Sequence, residues 1–225
     1  MDQLLNSVKI SINHKIYLKD PESSGLGKKI VSHSILMIDE IGFEAFTFKK
    51  LGAKIGSNES SIYRYFENKH KLLVYLTSWY WGWVEYKLVF ATNSISNPWE
   101  KLEKAIEIVT KTIEEDSTFN HINEVVLGRI VIKESSKSYL TKEVDGENKS
   151  GYFEIYKRMV NRLSTMIAAV DSNYSYPTSL ASTIMEANLH QHFLKDHFPT
   201  LTNCSENKQP SAFLLNMVKK TLNND

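Results

Sequence analysis

The stretch Phe48-Lys-Lys-Leu51-Gly52-Ala-Lys-Ile55-Gly56-Ser57-Asn58-Glu59-Ser60-Ser61-Ile62-Tyr63-Arg64-Tyr65-Phe66 decides how this 225-residue chain is read. Leu51 and Ile55 are four apart and so share one helical face. Ile62 and Phe66 repeat that spacing. Gly56 stands where a helix stops and the backbone needs positive φ, and Gly52 lacks a side chain that would hold two helices apart. The stretch therefore predicts two short helices crossing steeply through a tight turn, over 48–55 and 59–66, with Thr47 as the first N-cap. The outward face of the second would carry Glu59, Ser60, Ser61, Tyr63, Arg64 and Tyr65. These side chains are polar or aromatic, and short near the helix start. They suit a helix laid in the major groove with its N-terminal part at the base edges. The plainer alternative is a pair of packed helices in any all-α domain, and apolar spacing alone does not separate the two.

The flanks do separate them. Gly42-Phe43 ends the preceding helix, Thr47 caps, Gly56 turns, and Ile62-Tyr63-Arg64-Tyr65-Phe66 is followed by Asn68-Lys69 and Leu72-Leu73 at the opening of a long helix. In this order the segments resemble the DNA-binding head of the TetR family of transcriptional regulators, over about residues 27–75. The resemblance implies an all-α fold: an N-terminal helix-turn-helix head and a larger helical body for ligand binding and dimerisation. It implies double-stranded DNA, a second copy of the chain and an unknown small-molecule effector as partners, with a repressor-type switch. Thr47, Tyr63 and Lys69 would hold phosphates. Asn58, Ser60, Ser61 and Tyr65 would face bases or the adjacent backbone, and Arg64 would bind phosphate or pair with Glu67 or Glu40. Two positions depart from the family's habit: Ser57 stands where an apolar residue usually follows the turn glycine, and Glu59-Ser60 stands where Lys and Gly are frequent. Glu59 is disfavoured near phosphates, is favoured at a helix N-terminus, and could accept from a cytosine amino group. A DNA-binding site of Thr47, Asn58, Glu59, Ser60, Ser61, Tyr63, Arg64, Tyr65 and Lys69 results.

Composition is that of an ordinary globular chain, 42% hydrophobic and 24% charged. No apolar run reaches the ~20 residues of a membrane helix, and Met1 to Leu5 does not read as a signal peptide. A cytoplasmic location is expected. The single cysteine, Cys204, excludes an internal disulfide and a Cys-cluster zinc site. The net charge of +1 lends no global support to nucleic-acid binding. Between Lys28 and Lys71, however, Lys28, Lys29, Lys49, Lys50, Lys54, Arg64, Lys69 and Lys71 outnumber Asp39, Glu40, Glu44, Glu59 and Glu67.

Residues 1–26 read as an extension, 27–74 as the head and 75–225 as the body. In the extension Val8, Ile10, Ile12, Ile16 and Leu18 alternate with polar residues, which favours an extended segment, although Leu5, Val8 and Ile12 also fit a helix. Helical spacing then predicts a long helix over 68–90, a Pro98-initiated helix whose stripe reaches Ile113, and helices over 121–135, 152–170, 178–197 and 213–222, with a polar connection over 136–150. Tyr75, Trp79, Trp83, Tyr86 and Phe90 form an aromatic stripe, which reads first as core and second as a pocket wall. Trp79, Trp83, Tyr86 and His121, the last as a capping or pocket residue, are the candidate effector contacts. Glu186, His190 and His197 share a face but lack a second set of ligands, so packing is expected there rather than a metal. The helices over 150–170 and 178–197 are the candidates for an intersubunit four-helix bundle. No paired-carboxylate, Ser-His-Asp, Cys-His or phosphate-loop arrangement points to an enzyme, and no cofactor is implied.

Overall fold

The computed structural model describes residues 10–111 and 121–222. Val8 and Ile113, assigned above to an extended segment and to a helix, lie outside them. The elements are α1 (Gly25–Ala45), α2 (Phe48–Ile55), α3 (Glu59–Tyr63), α4 (Lys69–Thr92), α5 (Pro98–Thr110), α6 (Glu124–Glu134), α7 (Val144–Lys149), α8 (Glu154–Val170), α9 (Pro177–His197) and α10 (Pro210–Thr221), with short 3-10 turns between. The fold is all-α: the β-type pairing among the described residues is one isolated bridge, Ser205 to Lys208.

Helix starts follow side-chain chemistry. Ser24, Thr47, Asn58, Asn97 and Asn123 each accept a hydrogen bond from a backbone N–H of the helix they open, and Asn68 accepts from Lys71 N at 2.9 Å. Each such cap is worth about 1 kcal/mol. Pro98, Pro177 and Pro210 occupy first-turn positions, where the missing N–H costs nothing.

The described residues form two compact units. The first runs to Gly82 and takes in the described part of Ile113–Glu154; the second holds Trp83 onward through α5 and then Ile155 to the end. The head expected over 27–74 lies within the first unit, and α6 and α7 pack there as well. The Arg129 guanidinium donates to the Asp39 carboxylate at 3.1 and 2.6 Å, joining α6 to α1 and holding that carboxyl below its usual range. His70 Nε2 lies 2.9 Å from the buried Glu147 carboxylate, which joins α4 to α7.

Residues 10–24 do not form the alternating extended segment. Ile12 and Ile16, four apart, are both buried, a 3-10 turn (His14–Ile16) separates them, and Leu18 is 67% exposed. The same apolar set fits spacings of two and four, and packing selects four. Within 136–150 the chain forms a 3-10 turn (Ser135–Ser138) and the short α7 instead of a plain connection.

In the second unit α8 and α9 bury Met159, Leu163, Ile167, Ile184 and Met185. Glu85 accepts from Arg158 at 3.0 and 2.6 Å and from Arg162 at 2.8 Å. Burial pushes the Glu85 carboxyl up, but the two arginines outweigh it and hold it low. Asn188 Nδ2 donates to Val109 O at 3.2 Å, and His192 Nε2 to Thr110 O at 3.3 Å, so α9 satisfies terminal carbonyls of α5.

Candidate nucleic-acid interface

The wedge of α2 and α3 is built by exclusion and by caps. A Cβ at Gly52 would lie 2.8 Å from Ser57 O and 3.3 Å from Glu59 N, so only glycine lets α3 start this close to α2. Gly56 adopts φ 67°, ψ 36°, the left-handed conformation that ends α2 and turns the chain. Leu51, Ile62 and Phe66 are fully buried as the inner pins. Phe48 packs edge-on against Tyr63, ring centroids 5.0 Å apart.

The outward side carries Thr47, Asn58, Ser60, Tyr63 and Arg64 in the open, with Glu59 and Ser61 half-buried. Tyr63 is 46% exposed. Thr47 Oγ1 is already engaged as a cap, accepting from Lys50 N at 3.2 Å. Asn58 Oδ1 takes Ser61 N at 2.8 Å together with the hydroxyls of Ser60 and Ser61, at 2.9 and 2.6 Å. That oxygen holds the start of α3, which leaves the Asn58 amide nitrogen as its outward group. Arg64 is exposed, and no ion pair joins it to Glu67 or Glu40 among the described residues.

Two residues expected at DNA are placed elsewhere. Tyr65 is 3% exposed. α3 ends at Tyr63 rather than at residue 66, so the chain leaves helical rotation and turns Tyr65 inward. Its hydroxyl shares a 2.7 Å hydrogen bond with Ser24 Oγ. Lys69 does not reach outward either. Its ammonium donates to the carbonyls of Phe43, Glu44 and Phe46 at 3.0, 3.1 and 3.5 Å and lies 4.7 Å from the centre of the Phe43 ring. Those carbonyls are left open where Gly42 (φ 77°) breaks α1, and a cation at a helix C-terminal end is favoured.

The exposed Lys49 and Lys54 on α2, counted above only as charge, complete the basic surface. Lys50 is exposed too, but its ammonium donates to Ala45 O at 2.8 Å. The spacing signal covers Lys49 alone, which falls two residues before the buried Leu51 and so on the opposite face of α2.

The effector candidates divide between the units. Trp79 and His121 belong to the first, Trp83 and Tyr86 to the second. Burial along α4 does not follow the aromatic stripe. Tyr80 and Trp81, off the stripe, are buried with Trp79 and Trp83, whereas Phe90 is 76% exposed. His121 is no cap, because Asn123 caps α6. Its Nε2 lies 2.8 Å from the Glu22 carboxylate. Tyr156 donates its hydroxyl to Glu186, and His197 lies against Phe193. Among the described residues no three His, Cys, Asp or Glu side chains converge as they would around a metal ion.

Two crossing helices, a glycine turn and a capped, polar outer helix define a helix-turn-helix head. Residues 30–76 match the family model of bacterial regulatory proteins, tetR family. No curated protein matches the chain in sequence. Among solved structures, the chain resembles AibR in complex with isovaleryl coenzyme A and operator DNA (TM-score 0.56, 16% identity, 85% of this chain and 95% of that one). It resembles the fatty acid degradation regulator FadR from Bacillus halodurans (TM-score 0.58, 16% identity, 87% and 94%). It also resembles the superantigen PfiT (TM-score 0.62, 14% identity, 92% and 100%). The chain carries the head of the TetR family of bacterial regulatory proteins on the all-helical fold of those regulators.

Proposed function

We propose that the chain is a sequence-specific, DNA-binding transcriptional regulator, acting as a repressor under the control of a small-molecule effector. The observation that carries this reading is the outer face of α2 and α3. Lys49, Lys54, Tyr63 and Arg64 stand exposed around a capped helix start, while Phe48, Leu51, Ile62 and Phe66 are buried beneath them. Phosphate contacts from such a face position the helix, and the edges of Asn58, Glu59 and Ser60 read bases. One α3 reads only a few base pairs, so a homodimer with two heads related by a two-fold axis is part of the proposal. α8 and α9 are its candidate bundle.

The division of labour is head for DNA and body for effector. Trp83 and Tyr86 are the retained effector candidates. Effector binding shifts the population between head spacings by its differential affinity for them. No catalytic role is assigned. No described helix is long and apolar enough to cross a membrane, and a cytoplasmic location suits a DNA-binding regulator.

A second reading is a TetR-fold protein that no longer binds DNA. The likeness to a superantigen, the acidic Glu59 at the start of α3 and the net charge of +1 favour it. The test is fluorescence anisotropy with duplexes from the DNA flanking the chain's own coding region and from random-sequence selection. The first reading expects salt-sensitive binding that Tyr63→Phe and Lys54→Ala each weaken by about fivefold to tenfold with an unchanged melting temperature. Salt-independent or undetectable binding to every duplex would establish the second.

A further inference from the structure

The segment of residues 10–24 makes contacts that the head's own wedge does not require. Its Leu18 N–H donates to Tyr65 O at 2.8 Å, just beyond the end of α3. The Lys19 ammonium lies 5.1 Å from the centre of the Tyr65 ring, and Ser24 Oγ shares the hydrogen bond with the Tyr65 hydroxyl. Three successive parts of the segment thus hold one residue: its backbone oxygen, its ring face and its hydroxyl.

The same segment is tied at other points to α6, α7 and their flanks. Asn13 Nδ2 donates to Ser150 O at 2.9 Å, and the Tyr152 hydroxyl donates to Lys15 O at 3.0 Å. Glu22 meets His121 at 2.8 Å. Ile12 and Ile16 are buried, and Tyr17 packs edge-on to Tyr75 of α4 at 6.1 Å. Lys71 of α4 hydrogen-bonds to Tyr152 and lies 3.8 Å from Glu147.

We infer that residues 10–24 are a strap that sets the pitch of the recognition helix α3, with Tyr65 as the residue it grips and the 121–152 segment as its anchor. α3 has five residues and one helical turn, too short to hold its own orientation. Its start is fixed by Asn58 and its inner side by Ile62. At its end the buried Phe66 pins the inner side, and the strap adds a second hold there, on Tyr65. Tyr65 is accordingly a positioning residue: it touches no base, and it governs the angle at which Asn58, Ser60 and Tyr63 meet the groove. A displacement of a few tenths of an ångström at that end changes base-edge hydrogen bonds more than phosphate contacts, because the former need direction and the latter mainly charge.

This inference rests on the DNA-reading function proposed above, and Leu18 offers a clean test. Its side chain is exposed, so its backbone N–H is what matters. Leu18→Pro removes that donor, whereas Leu18→Ala keeps it. Tyr65→Phe is the second variant; it loses the bond to Ser24 and keeps the packing. All three are made in the full chain and checked by circular dichroism. Two measurements are taken: hydrogen exchange of amides over 58–66 without DNA, and anisotropy titrations against the selected operator and a single-mismatch duplex. Leu18→Pro and Tyr65→Phe are expected to raise exchange in that segment. They are expected to weaken operator binding about fivefold and to narrow the operator-to-mismatch ratio, with an unchanged salt slope. Leu18→Ala should match the parent. If Tyr65→Phe and Leu18→Pro leave exchange and discrimination at the parent's values, the strap has no such role. If Leu18→Pro does not fold, Tyr65→Phe alone decides. If the parent itself binds no DNA while the exchange differences appear, the regulator reading fails and the clamp on α3 stands.

Discussion

Tyr63 and Tyr65 belong to one short run, yet the first lies open on the wedge and the second is sealed beneath the strap. A second contrast separates the unit that holds both tyrosines from the other. In the first, function is written in residues that permit only one geometry: Gly52 for approach, Gly56 for the turn, Thr47 and Asn58 for helix starts. In the second, α8 and α9 add a few polar ties, at Arg158, Arg162, Asn188 and His192, to cores that many apolar sets of similar volume would build. A head of stereochemical necessities names its task, and a body of interchangeable hydrophobes does not.

That contrast can be broken most severely in the body. Leu163 is fully buried in α8, so Leu163→Ala should lower unfolding free energy by about 3 kcal/mol. Operator affinity per folded molecule should stay at the parent value. Urea denaturation and anisotropy check the pair of outcomes, and a change in affinity at constant folded fraction would erase the distinction. Gly52→Ala should act in the opposite proportion. The new Cβ meets the Ser57 carbonyl at 2.8 Å, and separating α2 from α3 costs about 2 kcal/mol. DNA binding should fall well beyond what that loss of folded protein explains.

The smallest effect concerns pH. Burial holds the His192 imidazole below its ordinary value, against the hydrogen bond to Thr110 O. The unfolded chain therefore takes up a proton as pH falls below about 6.5 while the native chain does not. The stability this contributes is present above that value and is lost as pH falls toward the native one. His192→Gln should flatten this part of the curve, measured by melts between pH 5 and pH 8. An unchanged slope would mean that this histidine is not kept neutral by the fold.

Where the sequence was sufficient, a single residue type answered a single steric or capping demand. Thr47, Gly56, Asn68, Pro98 and Pro177 mark helix ends within a residue or so of where they fall. It was insufficient where one pattern fitted two periods. The Ile10 to Leu18 run favours alternation while Ile12 also fits a helical spacing, and the fold buries Ile12 and Ile16 and leaves Leu18 exposed. Tyr65 was misplaced for a related reason. Helical rotation was carried three residues past the true end of α3, and the partners that hold this side chain inward, Ser24 and Lys19, lie 41 and 46 positions upstream. Lys69 looked like a phosphate ligand because charge is visible in a sequence and orphaned carbonyls are not.

The ammonium of Lys69 gives the head one mechanical property. By bridging three carbonyls at the end of α1 from the first residue of α4, it works as a rivet between the two helices. The break that Gly42 opens in α1 is thus closed by the side chain that begins α4, and one lysine serves as terminus for the first helix and foundation for the long one.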